Sequence, residues 1–460
     1  MVGPNYHRPP VPVPVKYKEL AGWTQAEPAA TAPKGDWWTA FDDPLLNRLE
    51  PMIIVSNQTV RQDYANYQEA LAEVRVANSS LFPTIGVTGS TTRQRYSSAQ
   101  TTTGRGIVNS GALEGTVSWA PDIWGQVRRE IEQSAATAQA SEATLANAAL
   151  SEQVTLANSV IELRITDANI DLLQQTVKAY QEYLRVVGDQ QQAGTVPPSD
   201  LITAQTQLES AQSSLIALGV SRAQYEHAIA VLVGKNPEDL DIAHSTALPT
   251  LPSIPVDMPS TLLQRRPDIA VAERQMAAEN AAIGVAVAAY YPTISLSAVA
   301  GFTESPLAGL LHVSNYVWSL GGSAAETIFD GGYRNAEVAV AKAAYDSTLA
   351  NYRGTVLSAF QQVEDELAAL RILADQAKVL DAQVKDATRG AQIALNEYQA
   401  GTVDYTTVAT AQTMQLSAEE TALSVESSRL IDAVTLIGDL GGGWSDDQLC
   451  DPRHAKCAKK

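Results

Sequence analysis

The residue types that most often carry catalysis or hold metal are sparse in this sequence. Its five histidines, His7, His227, His244, His312 and His454, are scattered through 460 residues with no HExxH-type spacing. There is no GxSxG elbow, no phosphate-binding Walker loop and no dinucleotide fingerprint. Carboxylates are abundant, with 51 Asp and Glu, but on helices such residues chiefly form a solvated face. The two thiols, Cys450 and Cys457, both fall in the last eleven residues. A tail disulfide, two free thiols, or a metal site shared with His454 are the chemistries open to them. No disulfide framework can hold the core. The chain therefore reads as a non-enzyme that needs no cofactor and no metal.

The elements must then explain what the chemistry does not. Hydrophobic residues make up 45% of the chain, enough for a packed core, and the formal net charge is −19. That charge argues against nucleic acid or an anionic membrane surface as the main partner. It fits a soluble surface or a wet cavity that favours cations. No apolar run approaches the roughly 18 residues of a spanning helix; the longest, Ala281 to Ala289, is too short. A β-barrel stays open, because its strands are short and only alternately apolar. The start, MVGPNYHRPPVPVPV, lacks the charged and apolar regions of a secretory signal, so a cytosolic protein or a processed chain is expected.

The chain repeats itself. Ala193-Gly194-Thr195-Val196 recurs as Ala400-Gly401-Thr402-Val403, and Thr203-Ala204-Gln205-Thr206 as Thr410-Ala411-Gln412-Thr413, both 207 residues later. Phe82-Pro83-Thr84-Ile85 recurs as Tyr291-Pro292-Thr293-Ile294, 209 residues later. A repeat this long is a duplicated domain. Each half holds one very long helix. Gln126 to Ala193 contains no Pro and a single Gly, Gly188, and would run about 100 Å. Leu156, Leu163, Ile170, Val177 and Leu184 recur every seven residues, with Leu173, Tyr180 and Val187 as a second seam. Two seams mean two neighbours, as in a closed ring of helices. The AGTV turn ends each long helix and a return helix follows, Ser199 to Val233 with Ser199 as N-cap, and Tyr405 to Leu440. A shorter helix opens each half, near Asn57–Leu81 and Met258–Tyr290.

Between opening and long helix the period changes to two. Ile85, Val87 and Gly89, then Leu113, Gly115, Val117 and Trp119, alternate with polar residues. Ile294 to Phe302 and Tyr316 to Leu320 do the same, giving four strands of about ten residues, long enough for a tilted membrane strand. Tyr96, Trp119, Phe302, Tyr316 and Trp318 sit where an aromatic girdle is expected. Four strands leave two edges unsatisfied in hydrocarbon, so three chains and twelve strands would close a barrel. Soluble hairpins packed on the helices are the bland alternative. The expected division is an extended Pro-rich segment and equatorial start (1–56), a first repeat (57–248), a Pro-rich linker (249–257), a second repeat (258–444) and a flexible tail (445–460).

At Leu262-Leu263-Gln264-Arg265-Arg266-Pro267-Asp268-Ile269, followed by Ala272-Glu273, Asn280-Ala281, Ile283-Gly284 and Tyr291-Pro292-Thr293-Ile294, the sequence resembles the TolC-like outer membrane factors. Val2-Gly3-Pro4-Asn5-Tyr6, Trp37-Trp38, Asp43-Pro44, the two AGTV turns and Leu440-Gly441-Gly442-Gly443-Trp444 extend the likeness over roughly residues 2 to 444. It points to the lipoprotein branch that serves tripartite efflux pumps. The resemblance implies a homotrimer: a 12-stranded β-barrel in the outer membrane of a Gram-negative bacterium, four strands per chain, continuous with a long periplasmic α-helical barrel. It also implies a passive exit duct for drugs or other small toxic compounds. Its partners would be a periplasmic adaptor protein, an inner membrane pump of the resistance-nodulation-division type, and outer membrane lipid. A lipid anchor on the native precursor is implied too.

The same resemblance nominates residues. Asp200 matches a family tip acid that helps hold the periplasmic gate shut, and Tyr398 matches a gate tyrosine. Val403 stands where some members carry a basic gate residue, and Asp404 is a local candidate for an acidic ring. Gly194, Thr195, Val196, Gly401, Thr402 and Val403 are the adaptor-contact candidates; making tight turns is their structural alternative. Arg265-Arg266-Pro267-Asp268 reads as a helix start. Two alternatives remain, a trimeric coiled-coil stalk or adhesin and the exit duct of a type I protein secretion system. Membrane fractionation separates duct from stalk: a duct is expected in the outer membrane fraction, whereas recovery as a soluble fibre would favour the stalk.

Overall fold

The computed structural model describes residues 1–19, 36–95, 107–254, 259, 262–305 and 309–453. The period-two segments form β1 (Thr84–Arg95), β2 (Ile107–Trp119), β3 (Thr293–Glu304) and β4 (Tyr316–Ala325), one antiparallel sheet in the order β1-β2-β3-β4. The sheet crosses from one repeat to the other through β2 and β3, with Gly115 opposite Ala300. Tyr96 lies outside the described residues.

The helices repeat with equal lengths. In the first half α1 (Pro44–Ser56) and α2 (Gln58–Ser79) precede β1, and α3 (Gln126–Gln192) and α4 (Pro198–Leu232) follow β2. In the second, α5 (Leu262–Arg265) and α6 (Pro267–Ala288) precede β3, and α7 (Tyr333–Gln399) and α8 (Tyr405–Asp439) follow β4. Both long helices have 67 residues, both return helices 35, and α2 and α6 22 each. No helix among the described residues is long and apolar enough to cross a membrane.

Two local expectations change. The opening helix of the second half is not continuous: it restarts at Pro267, because a residue before proline is driven out of the α region, and Arg266 is extended at φ −91°, ψ 121°. Pro197, not Ser199, is the cap residue of α4. Pro198 presets φ at the first helical position, and the Ser199 hydroxyl donates instead to Asp200 at 3.3 Å.

The main core lies midway along the long helices, about 45 Å from the start of α3. Trp37, Trp38, Phe41, Leu46 and Ile53 pack there against Leu156–Leu163, Tyr352–Leu367 and Leu430–Leu436. Buried ion pairs fix the crossings. The Asp43 carboxylate accepts from the backbone N–H groups of Leu45 and Leu46 at 2.6 and 3.0 Å, capping α1, and from Arg164 of α3 at 3.1 Å. Arg266, 7% exposed, donates to Asp268 at 2.7 Å, Asp439 at 3.0 Å and Gln362 at 2.8 Å, tying α6, α8 and α7 together.

The segments 2–5 and 441–450 are docked against the same helices. Arg129, 1% exposed, donates to the carbonyls of Val2 and Gly3. Gly3, at φ +83°, lies so close to Gly284 that a Cβ would stand 2.4 Å from its Cα. The expectation of a flexible tail fails for residues 445–453: the Cys450 N–H donates to Glu142 at 2.9 Å and its carbonyl accepts from Gln139 at 3.2 Å. The glycine turn before that segment, closed by the Trp444 N–H on the Gly441 carbonyl at 2.9 Å, brings Gly442 against Leu150 of α3. Cys450 is disulfide-bonded; Cys457 and His454 lie outside the described residues.

Glu50 is fully buried in α1, and neither carboxylate oxygen has a hydrogen-bond partner. Burial pushes its carboxyl up to about 9. An acid raised in the fold contributes fully only below its unfolded value, about 4.3, and that stability is lost as pH rises towards the folded value. Glu50→Gln is therefore expected to raise stability at pH 8 by on the order of 2–3 kcal/mol and to flatten the pH dependence between 5 and 9. Guanidinium unfolding across that range checks it; an unchanged profile would show that Glu50 is solvated.

Candidate functional site

Two regions can act on something outside the chain: the sheet and the hairpin tips at the far end of the helices. The register assigns each strand residue to a face. Ile85, Val87, Leu113, Val117, Ala298, Ala300, Trp318 and Leu320 share one face, since each lies directly opposite another member of the set or the glycines between them. That face is uncovered: Val87 is 77% and Leu320 76% exposed. The opposite face carries Thr84, Thr88, Ser90, Thr116, Ser118, Ser297, Ser319 and Ser323. Glu114 is the ionisable strand residue on that polar face, opposite Thr88 and Gly301. A side chain at Gly301 would collide with the Leu113 carbonyl at 2.2 Å, so glycine there makes room for the strand bearing Glu114.

The girdle candidates separate along the strands. Trp119 ends β2 beside the helices, and its indole N–H donates to the Leu81 carbonyl at 3.0 Å. Phe302 and Tyr316 meet edge-on near the other end, with ring centroids 5.7 Å apart. The two levels lie roughly 20 Å apart along the strand. Trp318 sits between them on the apolar face, 68% exposed.

At the tips both AGTV turns are the same αL closure. Gly194 has φ +72° and Gly401 φ +75°, with no atom near a hypothetical Cβ, so conformation alone demands glycine. The Thr195 N–H donates to the Gln190 carbonyl and the Thr402 N–H to Glu397, both at 3.0 Å. Gly194, Thr195, Gly401 and Thr402 are exposed, whereas Val196 and Val403 are half-buried against the tip cluster.

The tips differ in what they hold. Tyr398, at the end of α7, donates to Gln190 of α3 at 2.6 Å and packs edge-on against Tyr405 at 5.6 Å between centroids. Burial and the nearby Asp200 carboxylate push the Tyr398 hydroxyl up, which keeps it a neutral donor. Asp200 is 8% exposed. Asp404 is the N-cap of α8: its carboxylate accepts from the Thr407 hydroxyl at 2.8 Å and N–H at 3.0 Å, which hold it below the usual range. Asp200 and Tyr398 are thus brought together, and Asp404 has a structural task of its own. Gln190 and Tyr405 were not singled out by sequence. The repeat itself held the signal, since Tyr398, Asp404 and Tyr405 replace Gln191, Pro197 and Pro198 of the first half. The windows 186–205 and 393–412 contain Asp189, Asp200, Glu397 and Asp404 and no Lys or Arg. Among the described residues no cluster of metal-binding side chains is present.

The chain matches the family described as outer membrane efflux protein twice, over residues 51–235 and 258–442. It is 30% identical over 446 residues to the toluene efflux pump outer membrane protein TtgC of Pseudomonas putida, covering 96% of this chain and 92% of that protein. Among solved structures, the outer-membrane channel OprN superposes with a TM-score of 0.90 at 29% identity, over 96% of this chain and 99% of that one. The CmeC outer membrane channel of Campylobacter jejuni shares the fold, with a TM-score of 0.91 at 24% identity over 97% and 96%.

Tyr398→Phe removes the hydroxyl that joins the two hairpins. Hydrogen exchange is expected to speed up at residues 187–199 while the core around Leu156–Leu163 keeps its protection. Unchanged exchange at the tips would mean that the Gln190 bond contributes nothing there.

Proposed function

The chain belongs to the outer membrane efflux protein family, and from that premise we propose that three copies form one passive exit duct through the outer membrane. The single observation that carries this reading is the two-faced sheet: an uncovered apolar face, a Ser/Thr-rich opposite face, and two bare edges in one chain. Lipid satisfies the first, water the second, and only closure with other strands the third. Twelve strands from three chains make a barrel. The 67-residue helices continue it into the periplasm, and the aromatic residues Trp119 at one level and Phe302 and Tyr316 at the other mark its lipid interfaces, with Trp318 on the lipid face between them.

The duct has no energy source of its own. An inner membrane pump of the resistance-nodulation-division type would drive export, with a periplasmic adaptor docking at the exposed turns around Gly194-Thr195-Val196 and Gly401-Thr402-Val403. Drugs or other small toxic compounds are the substrate class. Asp200 and Tyr398 form the closed tip, with Tyr398 tying neighbouring hairpins through Gln190. The Met1-Val2-Gly3 segment reaches the membrane end of α3, where Val2 donates to the Trp124 carbonyl at 3.1 Å. A lipid carried just ahead of that segment would enter the bilayer beside Trp124.

Purified protein in detergent is expected to run as a trimer and to give steps of conductance in planar bilayers. A monomer without conductance would sink the reading. The acid-only tips and Glu114 on the polar strand face favour cations, so the reversal potential in a salt gradient should shift towards the cation's equilibrium value, less so in Glu114→Gln. Anion preference would refute the assignment of these acids to the lumen. If Asp200 and Tyr398 hold the tip closed, Asp200→Asn with Tyr398→Phe raises conductance; equal conductance would move the gate elsewhere.

A further inference from the structure

The uncovered face of the sheet does not stay apolar to its end. Strand β1 pairs with β2 without a bulge, from Thr84–Ser118 to Arg95–Ile107. Alternation therefore carries one face through Ile85, Val87, Gly89, Thr91, Arg93 and Arg95. The register also sets their levels. Gly89 lies opposite Leu113, Leu113 opposite Phe302, and Phe302 opposite Tyr316. Gly89 thus stands at the level of the aromatic pair at the end away from the helices. Arg93 and Arg95 lie four and six residues further, about 13 and 20 Å along the strand. At a strand tilt of about 40° they rise about 10 and 15 Å above that level. Arginine on a lipid-facing position destabilises a membrane barrel most at the bilayer midplane and least at its interfaces, so this pair belongs among the headgroups. Both side chains are exposed, and among the described residues neither has a hydrogen-bond or ion-pair partner. Asn109, directly opposite Arg93, is exposed beside it. The acid on this face, Glu304, sits two strands from β1 and one step nearer the aromatic level, opposite Gly111. The other end of the face, beside the helices, carries Ile85, Val117, Trp119, Ile294 and Ala324 and no ionisable residue of the described strands.

We propose that Arg93 and Arg95, with the Asn109 amide beside them, bind the phosphate groups of the outer leaflet's glycolipid. The inference rests on the membrane reading of the sheet above and adds the class of lipid that the sheet holds. The two leaflets of a Gram-negative outer membrane differ, and the outward one is built of a glycolipid with a phosphorylated headgroup. The lipid face is asymmetric in the same sense, with its unpaired cations at the outward end alone. A guanidinium presents a planar fork of N–H donors that matches phosphate oxygens. Two of them on alternate residues of one strand point the same way, about 7 Å apart. The chain as a whole carries −19, so a general attraction to an anionic surface cannot hold such a lipid, and the local pair has to. The glycolipid fits better than a free phosphate because the apolar surface continues directly below the arginines. Acyl chains cover Val87, Leu113 and Trp318 while the headgroup phosphates meet Arg93 and Arg95.

Native mass spectrometry of the full-length protein, freed of copurified lipid in detergent, tests this with bisphosphorylated lipid A as the probe. The unaltered protein is expected to retain the lipid, and Arg93→Gln with Arg95→Gln to weaken retention by about tenfold or more. Lys178→Gln with Arg389→Gln removes the same charge from exposed residues of α3 and α7 and should bind as the unaltered protein does. Lipid A stripped of its phosphates should bind the unaltered protein no better than intact lipid A binds the Arg93/Arg95 variant. That arm needs no substitution, so it decides the matter even if the variant fails to fold. Equal retention by the unaltered protein and the variant, or of the two lipids by the unaltered protein, would overturn the site while leaving the duct intact. A large excess of inorganic phosphate should displace little of the lipid; displacement down to the level of the variant would reveal a free-anion site and overturn the lipid assignment. Protein that never fractionates with the outer membrane would overturn the membrane reading, and the site with it.

Discussion

The backbone hydrogen-bonding groups on the outer sides of β1 and β4 constrain everything else in this protein. Among the described residues of one chain they have no strand partner, and in hydrocarbon each unsatisfied group costs several kcal/mol. A sheet that ended there would not survive in a membrane, so the edges must meet. Once they meet, the helices attached to every strand are drawn into a ring as well. Strand β2 leads within a few residues into α3 and β4 into α7, and their starting points copy the circumference of the barrel. The tunnel follows from the barrel because the chain passes directly from one to the other.

The middle of the molecule solves a different problem. A single long helix surrounded by water gains little from propensity and needs packing along its length. Here the packing is concentrated at one level, where Trp37, Trp38 and Phe41 fill the space between the crossing helices. Arg266 joins α6, α7 and α8, and Arg164 joins α3 to the Asp43 cap of α1, with charge-assisted hydrogen bonds. Such buried pairs contribute little net stability compared with apolar packing, but removing one partner leaves the other charge stranded. Their effect is to fix which helix crosses where. Above and below this level the contacts thin to alanine-rich seams and small clusters such as Val187, Ala204, Tyr398 and Val408.

Periodicity carried much of the architecture. The expected long helix ended within one residue of its observed end, because the absence of proline and the αL glycine after it are local facts. The strands were equally readable from alternation. Each half was expected to hold a β-hairpin, and β1–β2 and β3–β4 are antiparallel neighbours; the pairing between the halves was not readable, since alternation assigns a face and says nothing about which hairpin lies alongside. The β2–β3 contact that joins the two repeats therefore had to come from the structure. The same holds for the site. Asp200 and Tyr398 stood out through resemblance to a family, but Gln190, the acceptor for Tyr398, looks like one of three consecutive glutamines in sequence. Glu50 looks like a solvated helix charge, and only the core reveals its isolation. Ser199 had the composition of a cap, yet the proline pair before it took that position.

The place where the long helices are held determines how the tips can move. From the last core residue of α3, Ile165, to its end at Gln192 the helix extends about 40 Å without a comparable anchor. It is a lever with a short fixed arm and a long free one. A tilt of about 5° at the equator, small enough for packed side chains to absorb by sliding, carries the end sideways by about 3–4 Å. That displacement exceeds the 2.6 Å separation between Tyr398 and Gln190. Small angles at the waist are thus converted into large displacements at the tips, and the reach of the helix supplies the gain.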